Sequence, residues 1–502
     1  MPGVATPGIQ FDEPPIFERG AKGRSGASIA PLDVPAVDPR GVFGSVTRDE
    51  PAAFPEVSEP EAFRHFVRLS QWNFSIDTQF YPLGSCTMKH NPKVNEWAAR
   101  LPGFASLHPF TPPHLAQGAL EIMVNLQEIL AEIVGLDEVN LQPAAGAQGE
   151  LTGLMMIRAY HQSKGRAPRK MLIPESAHGT NAASCTLNGL EAVAFPAGPR
   201  GIVEPEVVAR ALEAAGDDVA GLMITNPNTL GLYESAMPVL ARMVHEKGGL
   251  VYGDGANLNA VLAKARPGDA GVDVMQFNLH KTFTTPHGGG GPGSGPVAFV
   301  KALSPFQPGP VPTRDGAGYR LDSDRPQSVG RVRSFYGNFG MMVRAYAYIR
   351  ELGPVGLRQV SELAVLNANY VAARLKDLFP LAFETPSLHE AVFTDRQLEQ
   401  TTGIKTLDIA KRLIDYGFHP PTVYFPLVVR GAMMIEPTET ETKQTLDQFV
   451  DALHQIVHEA KTDPDLLKTA PHLARLGRLD EARAARKPRL RWSKTNDAAS
   501  EG

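Results

Sequence analysis

LVYGDGANLNAVLAKARPGDAGVDVMQFNLHKTF, residues 250–283, holds two short apolar runs, each followed at once by polar residues able to do chemistry. The runs are Leu250-Val251-Tyr252 and Val274-Met275-Gln276-Phe277. Apolar runs this short, bounded by glycine or polar residues, read as strands buried on both faces. Four more flank them: Met171-Leu172-Ile173, Ala192-Val193-Ala194-Phe195, Leu222-Met223-Ile224 and Val297-Ala298-Phe299-Val300. Helical segments lie between several of them, for example at 205–215 and 236–245. This alternation, from Leu141 to about Lys301, predicts an α/β protein whose mainly parallel sheet is covered by helices.

In such a sheet, ligands sit outside the carboxyl ends of the strands. Those ends carry Ser176-Ala177-His178-Gly179-Thr180-Asn181, Thr225-Asn226-Pro227-Asn228, Gly253-Asp254-Gly255-Ala256-Asn257 and Asn278-Leu279-His280-Lys281-Thr282-Phe283. Together they deliver an imidazole, amides, hydroxyls, a carboxylate and an amine to one crevice. That set meets the needs of pyridoxal 5'-phosphate (PLP). Lys281 is the candidate amine for its aldehyde, Asp254 for its pyridine nitrogen, and His178 for stacking on its ring. Its phosphate needs backbone N–H groups at a turn or helix N-terminus. Ala145-Gly146-Ala147-Gln148-Gly149-Glu150 fits, as a small, flexible turn before a helix expected over 151–160. Each residue alone has a bland reading: a surface lysine, a turn aspartate, a structural histidine. Their order along the chain carries the case.

The glycine run at 286–293, PHGGGGPG, follows the lysine. Four consecutive glycines are entropically costly, which points to a hinge or to close approach by a bulky substrate. The run satisfies G-x-G-x-x-G at Gly288, Gly290 and Gly293, but Pro292 interrupts it and a strand follows, so dinucleotide binding is rejected. No G-K-[ST] occurs, and histidine and cysteine spacings do not suit zinc.

Further stretches, YPLGSCTMKHNP (81–92), SFYGNFGMMVRAYAYIRELG (334–353) and PTVYFPLVVRGAMMIEPTETETK (421–443), join AGAQGE (145–150), SAHGTN (176–181) and NLHKTF (278–283). From about residue 60 to 490, the chain resembles the P-protein of the glycine cleavage system. Its length resembles subunit 2 of the form split into two subunits. The resemblance implies the fold type I PLP-enzyme architecture: a large domain around a mainly parallel, seven-stranded-type sheet, and a smaller α+β C-terminal domain. It implies decarboxylation of glycine and transfer of the aminomethyl group to the lipoyl arm of the H-protein. Lys281 would then hold the cofactor, Asp254 its ring nitrogen and His178 its ring face. Gly146, Ala147, Gln148, Thr225, Ala256 and His280 would surround it. Arg333 and His90 are candidates for the glycine carboxylate, with a surface salt bridge the bland alternative for Arg333. Thr284-Thr285 after Phe283, and LHPFTPP at 107–113, depart from the family pattern. The implied assembly is a heterodimer with subunit 1 that dimerises again.

The expected division is an extended proline-rich arm at 1–60 and a large PLP-binding domain at 61–345, with a helical part at 61–140. A small domain at 346–460 and a basic tail at 461–502 complete it. A net charge of −5 argues against nucleic acid or an anionic membrane as partner. Two cysteines in 502 residues, without a signal peptide or an 18-residue apolar stretch, lead us to expect a cytoplasmic protein. Three rival readings are another fold type I enzyme (an aminotransferase or a lyase), a non-catalytic partner subunit, and a phosphate-binding module.

Overall fold

The computed structural model describes residues 13–50, 52, 54–285 and 291–492. Most of the glycine-rich run, Pro286 to Gly290, lies outside the described residues. The chain divides into two compact units: Ser75–Lys468, and Met1–Phe74 together with Thr469–Gly502.

In the larger unit, seven strands form one sheet. They are β1 (Glu138–Asn140), β2 (Lys170–Pro174), β3 (Glu191–Phe195), β4 (Val219–Thr225), β5 (Leu250–Gly255), β6 (Val274–Phe277) and β7 (Val297–Phe299). The spatial order is β1-β7-β6-β5-β4-β2-β3. β7 is antiparallel to both neighbours, and the other pairs are parallel. The mainly parallel sheet read from the sequence is therefore present. The six apolar runs are its strands β2 to β7. β1 was not among those runs, because three residues are too few to show a period. After β2 the chain steps outward to β3 and returns to β4, so a crevice opens between β2 and β4.

Strand residues alternate between two cores, as period-two geometry requires. Leu222, Ile224, Val251, Met275, Phe277 and Ala298 face one core. Met223, Tyr252, Val274, Val297 and Phe299 face the other. The first core is closed by α1 (Gln117–Val134), α4 (Pro205–Ala215), α5 (Met237–Glu246) and the start of α7 (Phe339–Leu375). The second is closed by α2 (Gly146–Ser163) and α3 (Gly179–Leu187). A single turn, α6 (Leu279–Thr282), follows β6.

α2 begins at Gly146, five residues before the expected start, so the AGAQGE run is its first turn and not a preceding loop. Packing explains its glycines. A Cβ on Gly146 would lie 2.6 Å from Asn278 Oδ1, one on Gly149 2.7 Å from Gln276 Cβ, and one on Gly153 2.5 Å from Tyr252 Cε2. The glycine face lets α2 lie directly on β5 and β6. Gly153→Ala is expected to destabilise the fold by about 1–3 kcal/mol through overpacking, although alanine is the better helix former. Urea unfolding measures this. A stabilised variant would show that α2 can lift off the sheet.

α7 is also longer than the helix expected over 339–351. Gly353, at φ 59°, breaks it just before Pro354, and the helix then resumes to Leu375. A hairpin, β8 (Val311–Asp315) and β9 (Gly318–Asp322), precedes α7. Beyond it, β10 (Ala391–Thr394), β11 (Thr422–Val423) and β12 (Ala432–Ile435) form an antiparallel sheet in the order β10-β12-β11. Its core joins Phe379, Phe393 and Met433 to α8 (Thr406–Asp415) and α9 (Lys443–Thr462).

The terminal unit centres on buried Glu13. Its carboxylate takes His65 Nδ1 at 2.7 Å, Arg19 Nη2 at 2.8 Å and Arg68 Nη1 at 3.1 Å. Phe17 stacks on Trp492 with 5.3 Å between ring centroids, so the two terminal segments pack together. Ile29, Leu32, Val34, Val37 and Phe43 of the arm are exposed. Among the described residues, no helix is long and apolar enough to cross a membrane.

Candidate functional site

Asp254, near the end of β5, is buried. Its Oδ1 accepts from the Ala256 amide at 3.0 Å and from Gln276 Nε2, and its Oδ2 accepts from Asn181 Nδ2 at 3.1 Å. Three N–H donors thus converge on the two oxygens of one buried carboxyl group and fix its orientation. Gln276, from β6, is itself held by the Tyr252 hydroxyl. Behind Asn181 lies Glu150 of α2, whose Oε2 accepts from Ser184 Oγ at 3.2 Å. Burial, and then the Asp254 charge, push the Glu150 carboxyl up to about 8.

Lys281 projects from α6, one turn beyond β6. Its Nζ donates to the Ser85 carbonyl at 2.7 Å, half-buried. Next to it, buried His280 accepts the Ser294 amide at Nδ1, 3.1 Å away. A Cβ on Gly293 would touch that ring, so glycine is required where the chain passes it.

The N-terminus of α2 presents backbone amides that an anion could use. Ala145 is extended at its N-cap and no side chain caps the turn. The first-turn amides of a helix have no intrahelical acceptor, and the helix dipole is positive there. Gly146 and Ala147 lie in that turn. The Gln148 side chain does other work: its Oε1 accepts the Ala144 amide at 2.7 Å and its Nε2 donates to the Val332 carbonyl at 2.5 Å, fixing the approach to the helix.

His178 N-caps α3, its Nδ1 accepting the Thr180 amide at 3.2 Å. Its exposed ring meets Phe425 edge-on at 5.7 Å. Thr225 closes β4 with Oγ1 buried and unpartnered. Asn278 Oδ1, Thr282 Oγ1, Thr285 Oγ1 and Ser294 Oγ are buried and unpartnered too. Native proteins rarely leave such atoms unpaired, so a group of them on the strand ends and on the segments beside Lys281 marks room for a polar ligand. An amine, a buried carboxylate, an uncapped helix N-terminus and these orphaned atoms fit PLP.

The two candidates for the substrate carboxylate are placed differently. Arg333 is half-buried, its Nη2 on Asn338 Oδ1 at 2.7 Å. His90 is exposed, its Nδ1 4.0 Å from Asp77 Oδ1. The buried cation of that motif is Lys89, on Glu439 Oε1 at 2.6 Å and Asn259 Oδ1 at 2.9 Å.

Sequence reasoning assigned no role to Asn181, Gln276, Glu150 or Ser85. Gln276 had a signal, being a polar residue inside an apolar strand run. Asn181 lay within a motif already singled out.

Residues 42–321 match the family described as "Glycine cleavage system P-protein", and residues 360–472 match "Glycine dehydrogenase, C-terminal domain". The chain is 55% identical over 485 residues to "Probable glycine dehydrogenase (decarboxylating) subunit 2" of Halalkalibacterium halodurans, covering 96% of this chain and 99% of that protein. The Bacillus licheniformis protein of the same description is 54% identical, with the same coverage. Among solved structures, an inhibitor-bound glycine decarboxylase (P-protein) of the glycine cleavage system superposes with a TM-score of 0.70 at 22% identity, covering 83% of this chain and 94% of that one. An aspartate aminotransferase of Thermus thermophilus gives 0.55 at 16% identity, covering 76% and 99%. These structural likenesses concern the fold, which is that of fold type I PLP enzymes.

Proposed function

The chain belongs to the glycine cleavage system P-protein family, and from that premise we propose how its residues divide the work of PLP-dependent glycine decarboxylation. Bound PLP supplies an electron sink for the pair released as CO2 departs. Lys281 would anchor the cofactor's aldehyde and, when free of it, would hold or give a proton at Nζ. Asp254 keeps a proton on the ring nitrogen, with Asn181, Gln276 and the Ala256 amide fixing its orientation. The amides of Gly146, Ala147 and Gln148 hold the phosphate, and Thr225, Ala256 and His280 line the rest of the pocket. His178 covers the ring face.

Arg333 is favoured over His90 for the glycine carboxylate. Its present partner, Asn338, is neutral and leaves its charge unspent, whereas His90 is exposed beside Asp77. The acceptor is the lipoyl disulfide of the H-protein: a C–S bond forms, the S–S bond breaks, and the departing sulfur takes a proton.

The relatives' description as subunit 2 supports pairing with a subunit 1, and a heterodimer that dimerises again is the assembly we propose. The exposed apolar residues of the arm support its lying across a neighbouring chain. Free Cys86 and Cys185 support a reducing, cytoplasmic setting. A smaller domain beginning near residue 346 is retained in this reading.

The buried Asp254 carboxylate with its three donors, on the strand beside the one that delivers Lys281, carries the proposal. Borohydride reduction of the chain with PLP and subunit 1, followed by peptide mapping, is expected to place a pyridoxyl group on Lys281. CO2 release from carboxyl-labelled glycine should then depend on lipoylated H-protein. An adduct with H-protein-independent amino-group transfer would instead favour an aminotransferase. An unmodified Lys281 would overturn the reading.

A further inference from the structure

The assignments above leave unused three buried titratable side chains in the field of Lys281. His389 and Glu390 precede β10, and Glu436 follows β12. The antiparallel register Ala391↔Ile435 brings these strand ends together. All three are at most 1% exposed, and one nitrogen or oxygen atom from each lies within 4.8 Å of the others. Burial pushes Glu390 up to about 7 and Glu436 well above the usual carboxylate range, and it pushes His389 down to about 3. Neither His389 ring nitrogen nor Glu436 Oε2 has a hydrogen-bond partner, and His389 Nε2 lies 4.0 Å from Glu390 Oε1.

The segment 84–87 connects this cluster to Lys281. The Ser85 amide donates to Glu390 Oε2 at 2.7 Å, and Thr87 Oγ1 donates to Glu436. The carbonyl of the same Ser85 accepts Lys281 Nζ. Ser85 sits at φ 65°, a left-handed conformation unfavourable for a residue with a Cβ and worth explaining where it occurs beside a reactive group. Asn257 Nδ2 steadies Glu390 from the other side, reaching Pro227 O at 3.1 Å and Glu390 Oε1 at 3.4 Å.

We propose that Ser85, held in its turned conformation by Glu390, is the dock for the Lys281 amine whenever that lysine is not bonded to an aldehyde, and that Glu390 and Glu436 supply the proton the amine takes up there. The inference rests on the assignment of Lys281 above. When glycine displaces it, Lys281 leaves as a neutral amine. One proton passes from a carboxyl of the pair to Nζ, giving an ammonium on the Ser85 carbonyl and one carboxylate. The proton returns when the amine attacks again, and nothing is oxidised or reduced. The remaining titratable groups around the pair do not compete for that proton. His389 is neutral, the Cys86 thiol is pushed up by burial, and Glu439 is committed to Lys89. Glu390 is thus a positioning residue that acts through Ser85.

Two variants test the dock. Glu390→Gln keeps an acceptor for the Ser85 amide but has no carboxyl proton to give. Glu390→Ala removes both. The first readout is the rate at which glycine displaces Lys281 in the holoenzyme, followed by cofactor absorbance. The second is acetylation of Lys281 in the cofactor-free chain between about pH 6 and 10, counted by mass spectrometry.

Glu390→Gln is expected to slow displacement by roughly 10-fold or more. It should also lower the pH midpoint of acetylation by about one unit, because a carboxylate no longer favours the ammonium. Glu390→Ala should exceed it on the first readout. If Glu390→Ala fails to fold, the isosteric glutamine variant decides alone. Wild-type behaviour of Glu390→Gln on both readouts overturns the dock. Slower displacement with an unmoved acetylation profile also overturns it, since that is a glycine-binding effect. A wild-type chain in which Lys281 takes no pyridoxyl group would instead sink the functional assignment on which the dock rests.

Discussion

Lys281→Ala is expected to lower glycine turnover by about 10⁴-fold or more while leaving a cooperative fold. The estimate combines loss of the covalent anchor with loss of a positioned proton donor, each a large contribution in enzymes of this chemistry. The separation of activity from stability follows from how α6 is held. Leu279, Thr282 and Phe283 are fully buried around Lys281 and carry the packing of the turn. The Lys281 amide bonds to the Asn278 carbonyl at 3.1 Å, a contact alanine keeps. What disappears is one half-buried amine and its hydrogen bond to Ser85. Urea unfolding should therefore move by no more than about 1–2 kcal/mol, and reduction with borohydride should leave no pyridoxyl peptide from this segment. Turnover above about one per cent of wild type would contradict the anchor role and return the rival of a non-catalytic subunit.

The contrast between Lys281 and Glu390 shows what a sequence can reveal about this site. Lys281 was legible because it follows a buried parallel strand, and parallel strands covered on both faces read as short apolar runs. Asp254, Thr225 and His178 were legible by the same rule, since all stand at carboxyl ends of one sheet. Glu390 and Glu436 reach the neighbourhood from a different, antiparallel sheet, whose pairing of residues 391 and 435 is not written in local periodicity. The start of α2 was misread for another reason. Glycine at 146 and 149 lowers helix propensity and looks like a loop, yet those positions need glycine because Asn278 and Gln276 leave no room for a Cβ. Tertiary packing overrode local preference there. At Gly353–Pro354 it did so again, where a local stop signal only interrupts α7.

Asp254→Asn is the second large effect, and its value lies in dividing chemistry from folding. Turnover is expected to fall by about 10²–10⁴-fold, the scale at which a preorganised charge at a reacting centre is lost. The neutral amide no longer favours a proton on the ring nitrogen, so the electron sink weakens where the pair must be accepted. The structural cost is smaller and has a definite source. Asn181 Nδ2, Gln276 Nε2 and the Ala256 amide all donate to the two oxygens of Asp254. Asparagine offers one oxygen and an NH2 group, which must face at least one of these donors. One buried donor is then left unpaired, costing about 1–3 kcal/mol. The neighbouring acid gives an internal check. The Asp254 charge helps hold the Glu150 carboxyl up at about 8, so removing that charge should lower the pH at which Glu150 ionises. Carbon NMR of the Glu150 carboxyl in the two proteins reads that midpoint, which should move toward acid in the variant. A variant that unfolds more easily in urea yet turns over glycine at the wild-type rate would remove Asp254 from the reaction and leave it a role in packing alone.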